Sequence, residues 1–272
     1  MGRFLHWFSK HPEGSQPQKE RLPFGKERLF REVRSIFVIV IFVFAFRSVF
    51  FEPFRIPSGS MIPTLMIGDF ILVNKLAYGF KVPFSDMYSD PIYLYQNEGP
   101  KRGEVIVFKY PKDESFNYIK RVVGVPGDRI EVIDKVLYIN NTPIETVELS
   151  PPESKEIKND LEEKFRPHHL RFFQTKTGEF SHKTTIWEHG HFTKSTSPIV
   201  VPEGKYFVMG DNRDFSSDSR VWGLVDHRLI KGRAFLVWFS LNPPNSEMGH
   251  EFKFRPWRIG TSIHKKLKAT GL

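Results

Sequence analysis

The chain has 272 residues, a formal net charge of +9 at pH 7, a hydrophobic fraction of 40% and no cysteine. The hydrophobic fraction predicts a folded core and excludes a largely disordered chain, and the length allows one large domain or two smaller ones. The absence of cysteine excludes disulfides, thiolate zinc sites and thiol catalysis. Basic residues are spread along the chain without a recognised motif, which indicates that nucleic acid is not a partner.

Residues 1–34 form a basic segment, which we place in the cytoplasm, and an apolar stretch follows at 35–51. Within that stretch Ile36–Phe46 contains no polar residue, whereas Arg47 and Ser48 interrupt the run. It is slightly shorter than the roughly twenty residues that a spanning helix needs. A buried core helix rarely lacks a polar face, and a cleaved signal peptide needs a small-x-small site that does not follow here. We therefore predict one transmembrane anchor at 35–51, with the rest of the chain outside.

Beyond the anchor the sequence changes to β-branched and aromatic runs bounded by turn residues, which is typical of strands. The runs are DFILVNKLAYGF (69–80), GEVIVFKY (103–110), YIKRVVGVPGDRIEVIDKVLYINNTPI (118–144), GKYFVMGDN (204–212) and GRAFLVWFSL (232–241). Turns at 126–128 and at 140–141 divide the third run into three strands. No helix longer than about two turns is predicted after the anchor. The fold class is therefore mainly β, with antiparallel sheets.

The segment at 150–198 differs from its surroundings, because it begins charged and proline-bounded and continues as polar hairpins. It is compatible with an inserted β domain or with a partly mobile excursion. We predict a catalytic β core made of 52–128 and 200–262, and an inserted β-rich domain at 129–199. The basic tail at 263–272 is compatible with closing a sheet or with lying on a membrane.

Ser60, in the stretch FRIPSGSMIPTL, is the first candidate for chemistry. A serine hydroxyl is a poor nucleophile until a base removes its proton, and the usual base is histidine. The chain has ten histidines, but of these His227 alone lies between strand-like runs of the predicted core, and no His-Asp pair stands where a triad is expected. Metal ligation by the histidine pairs at 168–169 and 189/191 is not favoured, because their setting is loop-like and lacks ordered carboxylates.

Lys120, in FNYIKRVVGVPGD, is the alternative base, provided that burial removes its proton. Side chains alternate along a strand, so Tyr118, Lys120 and Val122 share one face. We expect this face to point inwards and Arg121 to take the outer face. A solvated lysine on a strand surface is the alternative that the local pattern leaves open.

The loop at 209–223, MGDNRDFSSDSRVWG, places charged residues of both signs between two strand-like runs. A buried ion-pair mesh that fixes the loop is one interpretation. Its members would be Asp211, Asp214, Asp218, Arg213 and Arg220. A calcium loop is excluded because its third and fifth ligand positions hold arginine and phenylalanine, while an ordinary polar turn remains an alternative.

Three segments behind an N-terminal apolar stretch, IPSGSMIPTL, YIKRVVGVPGD and GDNRDFSSDSRVWG, together resemble bacterial type I signal peptidase, the leader peptidase. The resemblance covers roughly 36–140 and 200–262 and includes GDFILVNKLAYGF and PKRGEVIVFKYP. Each motif is weak alone, but the three in this order are specific. The family implies a β core of two antiparallel sheets with a second β-rich domain inserted.

The resemblance also implies a role for each matching residue. Ser60 is the nucleophile and Lys120 the general base, Ser58 joins the backbone N–H of Ser60 in an oxyanion hole, and Ser216 hydrogen-bonds the Lys120 amine. Asp218 and Arg220 give structural support. The pockets for small substrate residues would be lined by Phe54, Ile56, Met61, Leu65, Tyr118 and Ile119.

By this resemblance the chain is a membrane-bound serine endopeptidase that removes signal peptides from secretory pre-proteins, cleaving after an A-x-A-like site without cofactor or metal. It would lie in the bacterial inner membrane as a single-pass protein, with the catalytic domain on the extracytoplasmic side. One alternative is a specialised Ser-Lys peptidase for a pilus or conjugation substrate. Another is a catalytically inactive, membrane-anchored β domain that binds envelope proteins.

Overall fold

The computed structural model describes residues 25–82, 85, 91–190, 195–244 and 252–266. The chain divides into two compact units, residues 1–44 and 45–272. Helix α1 (Lys26–Val49) is apolar on all sides over residues 36–44, whose side chains are 43% to 68% exposed. Over the ranges described, no helix combines the length and the apolarity needed to cross a membrane, so the predicted transmembrane anchor at 35–51 is not confirmed.

The second unit is built almost entirely from strands, as the sequence predicts. They are β1 (Phe51–Arg55), β2 (Asp69–Asn74), β3 (Gly79–Lys81), β4 (Tyr93–Gln96), β5 (Val105–Tyr110), β6 (Asp113–Gly124), β7 (Arg129–Ile133), β8 (Val136–Ile139), β9 (Thr142–Pro143), β10 (Thr146–Glu148), β11 (Leu170–Thr177), β12 (Phe180–Trp187), β13 (Thr196–Val200), β14 (Lys205–Met209), β15 (Val225–Asp226), β16 (Ile230–Asn242), β17 (Lys253–Phe254), β18 (Thr261–Ser262) and β19 (Lys265–Lys266). Helices α2 (Pro151–Asp160) and α3 (Ser219–Trp222) accompany them.

A nine-stranded antiparallel sheet forms the main body, in the order β1-β2-β16-β5-β6-β14-β15, with β17 and β18 also pairing with β16. Strand β2 buries every second residue, which is the alternation of a strand with one face on a core. Strand β5 buries its first four residues in succession, which shows that both faces of the sheet are covered at its centre. Its neighbour β6 therefore carries side chains into two different cores.

Two four-stranded sheets, one in the order β13-β7-β8-β9 and the other in the order β10-β11-β12-β19, accompany a two-stranded sheet of β3 and β4. The predicted turn at 140–141 is present, with positive φ at both asparagines. A further turn at 134–135, also with positive φ, separates β7 from β8, so the run at 118–144 holds four strands instead of the predicted three. The polar hairpins predicted in the segment at 150–198 are represented by β11 and β12. The tail contributes β19 to this sheet.

Helix α2 is the main departure from the expected secondary structure, since its ten residues exceed two turns. Its start has a capping box, in which the backbone N–H of Ser150 donates to Glu153, and prolines occupy the first helical positions. Charged residues outnumber apolar ones in the helix, which hid it from the periodicity argument. Ile157 and the following Leu161 and Phe165 pack into a core with residues of the loop that carries Ser60.

Candidate active site

The loop between β1 and β2 carries Ser60 and closes on itself through backbone hydrogen bonds. The N–H of Ile56 donates to the carbonyl of Asp69, and the N–H of Gly68 donates back to Ile56, at 2.8 and 2.9 Å. Asn212 then holds the loop from the other side. Its backbone N–H donates to the Ser60 carbonyl and its side-chain amide donates to the Gly59 carbonyl, both at 3.0 Å. Two adjacent peptide groups of the nucleophile segment are therefore fixed by one residue.

Gly59 is required by packing, because a Cβ at this position would overlap the ring of Phe165. Phe165 lies after helix α2, in the segment that the sequence suggested to be an insertion, and it is 6% exposed. Its ring packs edge-on against Phe215, from the loop that follows β14. The nucleophile segment is therefore enclosed by residues from two distant parts of the chain.

Lys120 lies on β6, and its amine reaches the hydroxyl of Ser60. The distance from Lys120 Nζ to Ser60 Oγ is 2.8 Å, and Nζ also donates to the carbonyl of Ile119 at 3.0 Å. Lys120 is 4% exposed and Ser60 is 8% exposed, so the pair is largely shielded from water. The amine stands 5.4 Å from the ring centre of Tyr118, which confirms that residues 118 and 120 share a face.

The environment of Lys120 favours its neutral form. Burial lowers the pKa of Lys120 to about 8 from 10.5, because water no longer solvates the ammonium ion. The carboxylates of Asp218 and Asp211 raise this pKa, whereas the guanidinium of Arg220 lowers it. Since burial is the largest of these effects, the net shift is towards a base that functions near neutral pH.

Asp218 organises the loop behind the lysine. It accepts from the Ser216 hydroxyl at 2.8 Å, from the Gly210 N–H at 2.9 Å, and from two guanidinium nitrogens of Arg220, each at 2.8 Å. These contacts and the Arg220 charge, working against the effect of burial, lower the pKa of the Asp218 carboxyl. The expected hydrogen bond between Ser216 and the Lys120 amine is not formed in the described residues, and the Ser216 hydroxyl donates to Asp218 instead.

Arg121 corrects the expectation that the second face of β6 is an outer face. It is 1% exposed and binds Asp211 through two hydrogen bonds of 2.8 and 2.7 Å, with a third bond to the carbonyl of Gly103. Burial alone would raise the pKa of Asp211, but the Arg121 charge and hydrogen bonds bring it below its ordinary value. Both faces of β6 are therefore buried, and each carries one cation.

The charged loop forms an ion-pair network, although only some of its partners are those that the sequence suggested. Within the loop the Asp218–Arg220 pair is formed as expected. Asp214 instead pairs with Lys135, 2.9 Å away, at the turn between β7 and β8. Arg213 forms no hydrogen bond or ion pair through its side chain in the ranges described, although it is 6% exposed.

The six residues expected to line substrate pockets divide into two groups. Three retain exposed surface and remain available to a ligand, namely Phe54, Tyr118 and Ile119. The other three are core residues that offer a ligand almost no surface, namely Ile56, Met61 and Leu65, at 2%, 0% and 0% exposure. The reason is that the loop turns inwards after Ser60, so its apolar side chains close the core between the strands instead of facing solvent. Ser58, two residues before Ser60, is exposed.

The histidines that the sequence singled out have aromatic neighbours. The ring of His168 packs 4.7 Å from Trp187 and 4.9 Å from Phe215, and His169 lies beside His189. In the part of the chain that the structure describes, no group of three or more His, Asp or Glu residues is arranged to hold a metal ion.

Comparison with known proteins places this geometry in a family. Residues 29–239 match the family described as "Signal peptidase, peptidase S26". Signal peptidase I of Pseudomonas aeruginosa is 40% identical over 232 residues, which cover 81% of this chain and 76% of that protein. Signal peptidase I of Buchnera aphidicola from Acyrthosiphon pisum is 33% identical over 270 residues, covering 88% and 83%. The Haemophilus influenzae protein of the same name is 35% identical over 273 residues, covering 84% and 74%.

Proposed function

Because the chain belongs to the signal peptidase family, peptidase S26, and is a serine endopeptidase that removes signal peptides, we propose that Ser60 and Lys120 are the dyad that performs this cleavage. The observation that carries the proposal is the 2.8 Å contact between Lys120 Nζ and Ser60 Oγ at a buried site. A lysine with a pKa of about 8 has a neutral fraction near neutral pH, which is what a general base requires.

In each half of the proposed reaction, Lys120 first accepts a proton from the attacking group and then returns it to the leaving group. Neutral Lys120 accepts the hydroxyl proton as Ser60 Oγ attacks the scissile carbonyl, which becomes a tetrahedral oxyanion. The carbon–nitrogen bond then breaks, the Lys120 ammonium gives its proton to the leaving amine, and an ester with Ser60 remains. Water attacks that ester with Lys120 again as the base, which releases the peptide acid and regenerates both residues.

We place the oxyanion between the hydroxyl of Ser58 and the backbone N–H of Ser60. The Ser60 N–H has no hydrogen-bond partner within the described ranges, whereas its carbonyl is held by Asn212. A free N–H on a fixed backbone is the kind of preorganised donor that stabilises developing negative charge. Loss of one such donor commonly costs about a hundred- to a thousandfold in rate, which is the effect expected for Ser58→Ala.

Ser216, Asp218 and Arg220 act on the dyad through position and charge. Asp218 fixes both Ser216 and the backbone of Gly210, and a side chain at Gly210 would collide with Ser216 and with the Ser60 carbonyl. The loop is thus packed directly behind the nucleophile. Arg220 balances the Asp218 charge, which would otherwise hold a proton on Lys120 more strongly.

The substrate we propose is an extended peptide with small residues before the scissile bond. Such a peptide adds as a strand, so that its backbone supplies affinity and shallow pockets exclude large side chains. Phe54, Tyr118 and Ile119 are the residues with surface to offer it. Met61 and Leu65 would set the depth of the pockets from below, because they are buried in the core next to Phe54 and Ile119.

We further propose that helix α1 holds the chain at the bacterial inner membrane, with the N-terminus in the cytoplasm. The support is the run of nine exposed apolar residues at 36–44, preceded by the basic segment 1–34. The chain has no cysteine, so after single-cysteine labelling in cells the isolated chain carries label only at the introduced position. In intact cells, Lys112→Cys should react with an impermeant maleimide. Ser9→Cys should react only after the cells are permeabilised. The opposite pattern would overturn this topology.

The proposed dyad is tested with the full chain in detergent micelles and a fluorogenic peptide containing an A-x-A site. We expect cleavage after the second alanine, and no cleavage by a Ser60→Ala variant that unfolds at the same temperature as the parent. Peptides with leucine or phenylalanine in place of either alanine should be poor substrates. Undiminished cleavage by Ser60→Ala would remove the nucleophile assignment. A panel of pre-proteins then distinguishes a general enzyme from one restricted to a pilus or conjugation substrate.

A further inference from the structure

A second cavity, not used by the peptidase chemistry, lies between strand β8 and the hairpin β11–β12. Its volume is about 310 Å³. The walls are mainly apolar, from residues that include Leu137, Ile144, Phe173 and Ile186. One side chain of the charged loop, Arg213, also lines it. The cavity therefore combines an aliphatic interior with a guanidinium group.

Arg213 has no directly bonded partner among the described residues, although the carboxylates of Asp211 and Asp218 are close enough to raise its pKa. The residue is 6% exposed, its Nε is buried without a partner, and in the ranges described its guanidinium makes no hydrogen bond or ion pair. Burial lowers the pKa of Arg213 to about 10, which still leaves it charged at neutral pH. A buried charge without a partner is costly, and such groups are normally paired.

The carboxylates of the same loop pair with other cations, and none forms a hydrogen bond or ion pair with the Arg213 side chain in the ranges described. Asp211 binds Arg121 and Asp218 binds Arg220. Asp214 pairs with Lys135 and accepts from the backbone N–H of Trp187.

Among the described residues, Arg213 is the basic side chain of the cavity lining that offers free donors to a ligand. Three of the lining side chains are basic and two are acidic. They are Lys135, Arg171, Arg213, Asp134 and Glu188. Arg171 is already bound by Glu148 through two hydrogen bonds, and Lys135 by Asp214, so Arg213 is the member with free donors. A carboxylate brings one negative charge and matches the guanidinium fork, whereas a doubly charged phosphate would overcompensate.

We propose that this cavity binds the carboxylate of an aliphatic chain, with Arg213 holding the carboxylate and the apolar walls covering the chain. Two sources share this chemistry, a peptide that ends in an aliphatic residue and a fatty acid. Asp134 and Glu188 at the rim disfavour ligands with a second negative charge. The cavity contains neither Ser60 nor Lys120, so its binding test and the test of the proposed dyad are independent of each other.

The binding test uses the full chain with labelled isoleucine methyl groups and five short probes. The probes are hexanoate, hexanamide, hexyl phosphate, acetyl-Ala-Val with a free carboxylate, and the same dipeptide as an amide. We expect at least one carboxylate to shift the methyl signals of Ile144 and Ile186 and to bind at least tenfold more tightly than its amide. Binding of hexanoate alone identifies a fatty acid as the source, and binding of the dipeptide acid alone identifies a peptide. Equal binding of acids and amides would overturn the proposal, as would tighter binding of hexyl phosphate than of hexanoate.

Variants connect the binding to the arginine. Arg213→Met should weaken carboxylate binding at least tenfold and leave amide binding unchanged, and Arg213→Lys should weaken it less. Arg228→Met, which removes an exposed arginine that does not line the cavity, is the matched control and should bind as the parent does. Unaltered carboxylate binding by Arg213→Met would exclude the assignment.

Stability without ligand gives a second readout. If Arg213 is unpaired in the free protein, Arg213→Met should raise the unfolding temperature, the opposite of an ordinary substitution at a buried position. Hexanoate should raise the unfolding temperature of the parent and not that of Arg213→Met. A lower unfolding temperature for Arg213→Met would mean that the arginine has a partner in solution, and would overturn the proposal.

Discussion

Lys120 and Arg121 are neighbours on strand β6, both almost completely buried, yet the fold treats their charges in opposite ways. Arg121 meets a carboxylate through two hydrogen bonds, and Asp211 remains ionised beside it. Lys120 meets a hydroxyl and a carbonyl, and no carboxylate hydrogen-bonds to its amine in the described ranges. The charge of Arg121 is therefore balanced by a bonded carboxylate, whereas Lys120 has no bonded carboxylate that would keep it protonated.

The difference follows from how Asp218 is used. This carboxylate is close enough to raise the pKa of Lys120, but Arg220, Ser216 and the Gly210 N–H take its hydrogen bonds. A direct Asp218–Lys120 pair would keep the amine charged, which would stabilise the site and remove the base. The comparison teaches that a neutral lysine needs its nearest carboxylate to be satisfied by another cation. Each prediction below disturbs one side of this comparison.

The largest effect is expected when Lys120 is made permanently charged. Lys120→Arg should lose at least about 10,000-fold in kcat/KM, as much as Lys120→Ala, because arginine cannot give up its proton at any usable pH. The measurement is cleavage of the A-x-A peptide by the full chain. Lys112→Arg, an exposed lysine in the turn before β6, is the matched control and should retain activity. An active Lys120→Arg enzyme would rule out a base at this position.

The next effect concerns the compensated neighbour, and it appears in stability. Arg121→Met leaves Asp211 buried without its main partner, so the free energy of unfolding should fall by about 3–5 kcal/mol. Urea unfolding measures this loss. Arg129→Met, at a partly exposed pair on β7, should change stability by less than about 1 kcal/mol. Equal losses for the two variants would show that Arg121 is not a buried structural pair in solution.

How much of this arrangement was predictable is clearest on the same strand. The two-residue period of β6 and the resemblance of its motif predict that Lys120 and Tyr118 share a face, and the structure agrees. The burial of Arg121 was not predictable, because the other face is covered by residues far away in sequence, such as Asp211 and Thr64. The alternation of residues along β6 predicts which side chains share a face of the strand. Whether one face or both faces are buried depends on the other segments that pack against the sheet.

The loop around Ser60 gives the same lesson. Its motif indicates the nucleophile, but Met61 and Leu65 were expected in a substrate pocket and lie in the core. The neighbour that makes Gly59 necessary, Phe165, follows a helix that reads as a charged loop. Both errors concern contacts between distant segments, for which a single sequence carries no periodic signal. The Lys135–Asp214 pair, which joins the turn after β7 to the charged loop, belongs to the same class.

A smaller effect is expected when the uncompensated charge is removed. Lys120→Met should be inactive but more stable than the parent at pH 7, by up to about 3 kcal/mol, the free-energy equivalent of lowering a pKa from 10.5 to about 8. Between pH about 8 and pH 10.5 the unfolded parent binds more protons than the folded parent. The free energy of unfolding of the parent therefore rises with pH across that window. The variant lacks this rise. Urea unfolding at pH 7 and at pH 10 measures it, and identical pH dependence in both proteins would contradict the lowered pKa.

The smallest effect is a shift of the pH dependence of kcat/KM. The two substitutions that remove one member of the Asp218–Arg220 pair should shift it in opposite directions. Log kcat/KM of the parent should rise with pH and level off above a midpoint near 8, where Lys120 loses its proton. Arg220→Met leaves the Asp218 carboxylate unbalanced, which raises the pKa of Lys120 and moves the midpoint to higher pH. Asp218→Asn removes the carboxylate and should move it to lower pH. Circular dichroism confirms that both variants are folded. Shifts in the same direction would mean that the pair acts on Lys120 through position alone and not through charge.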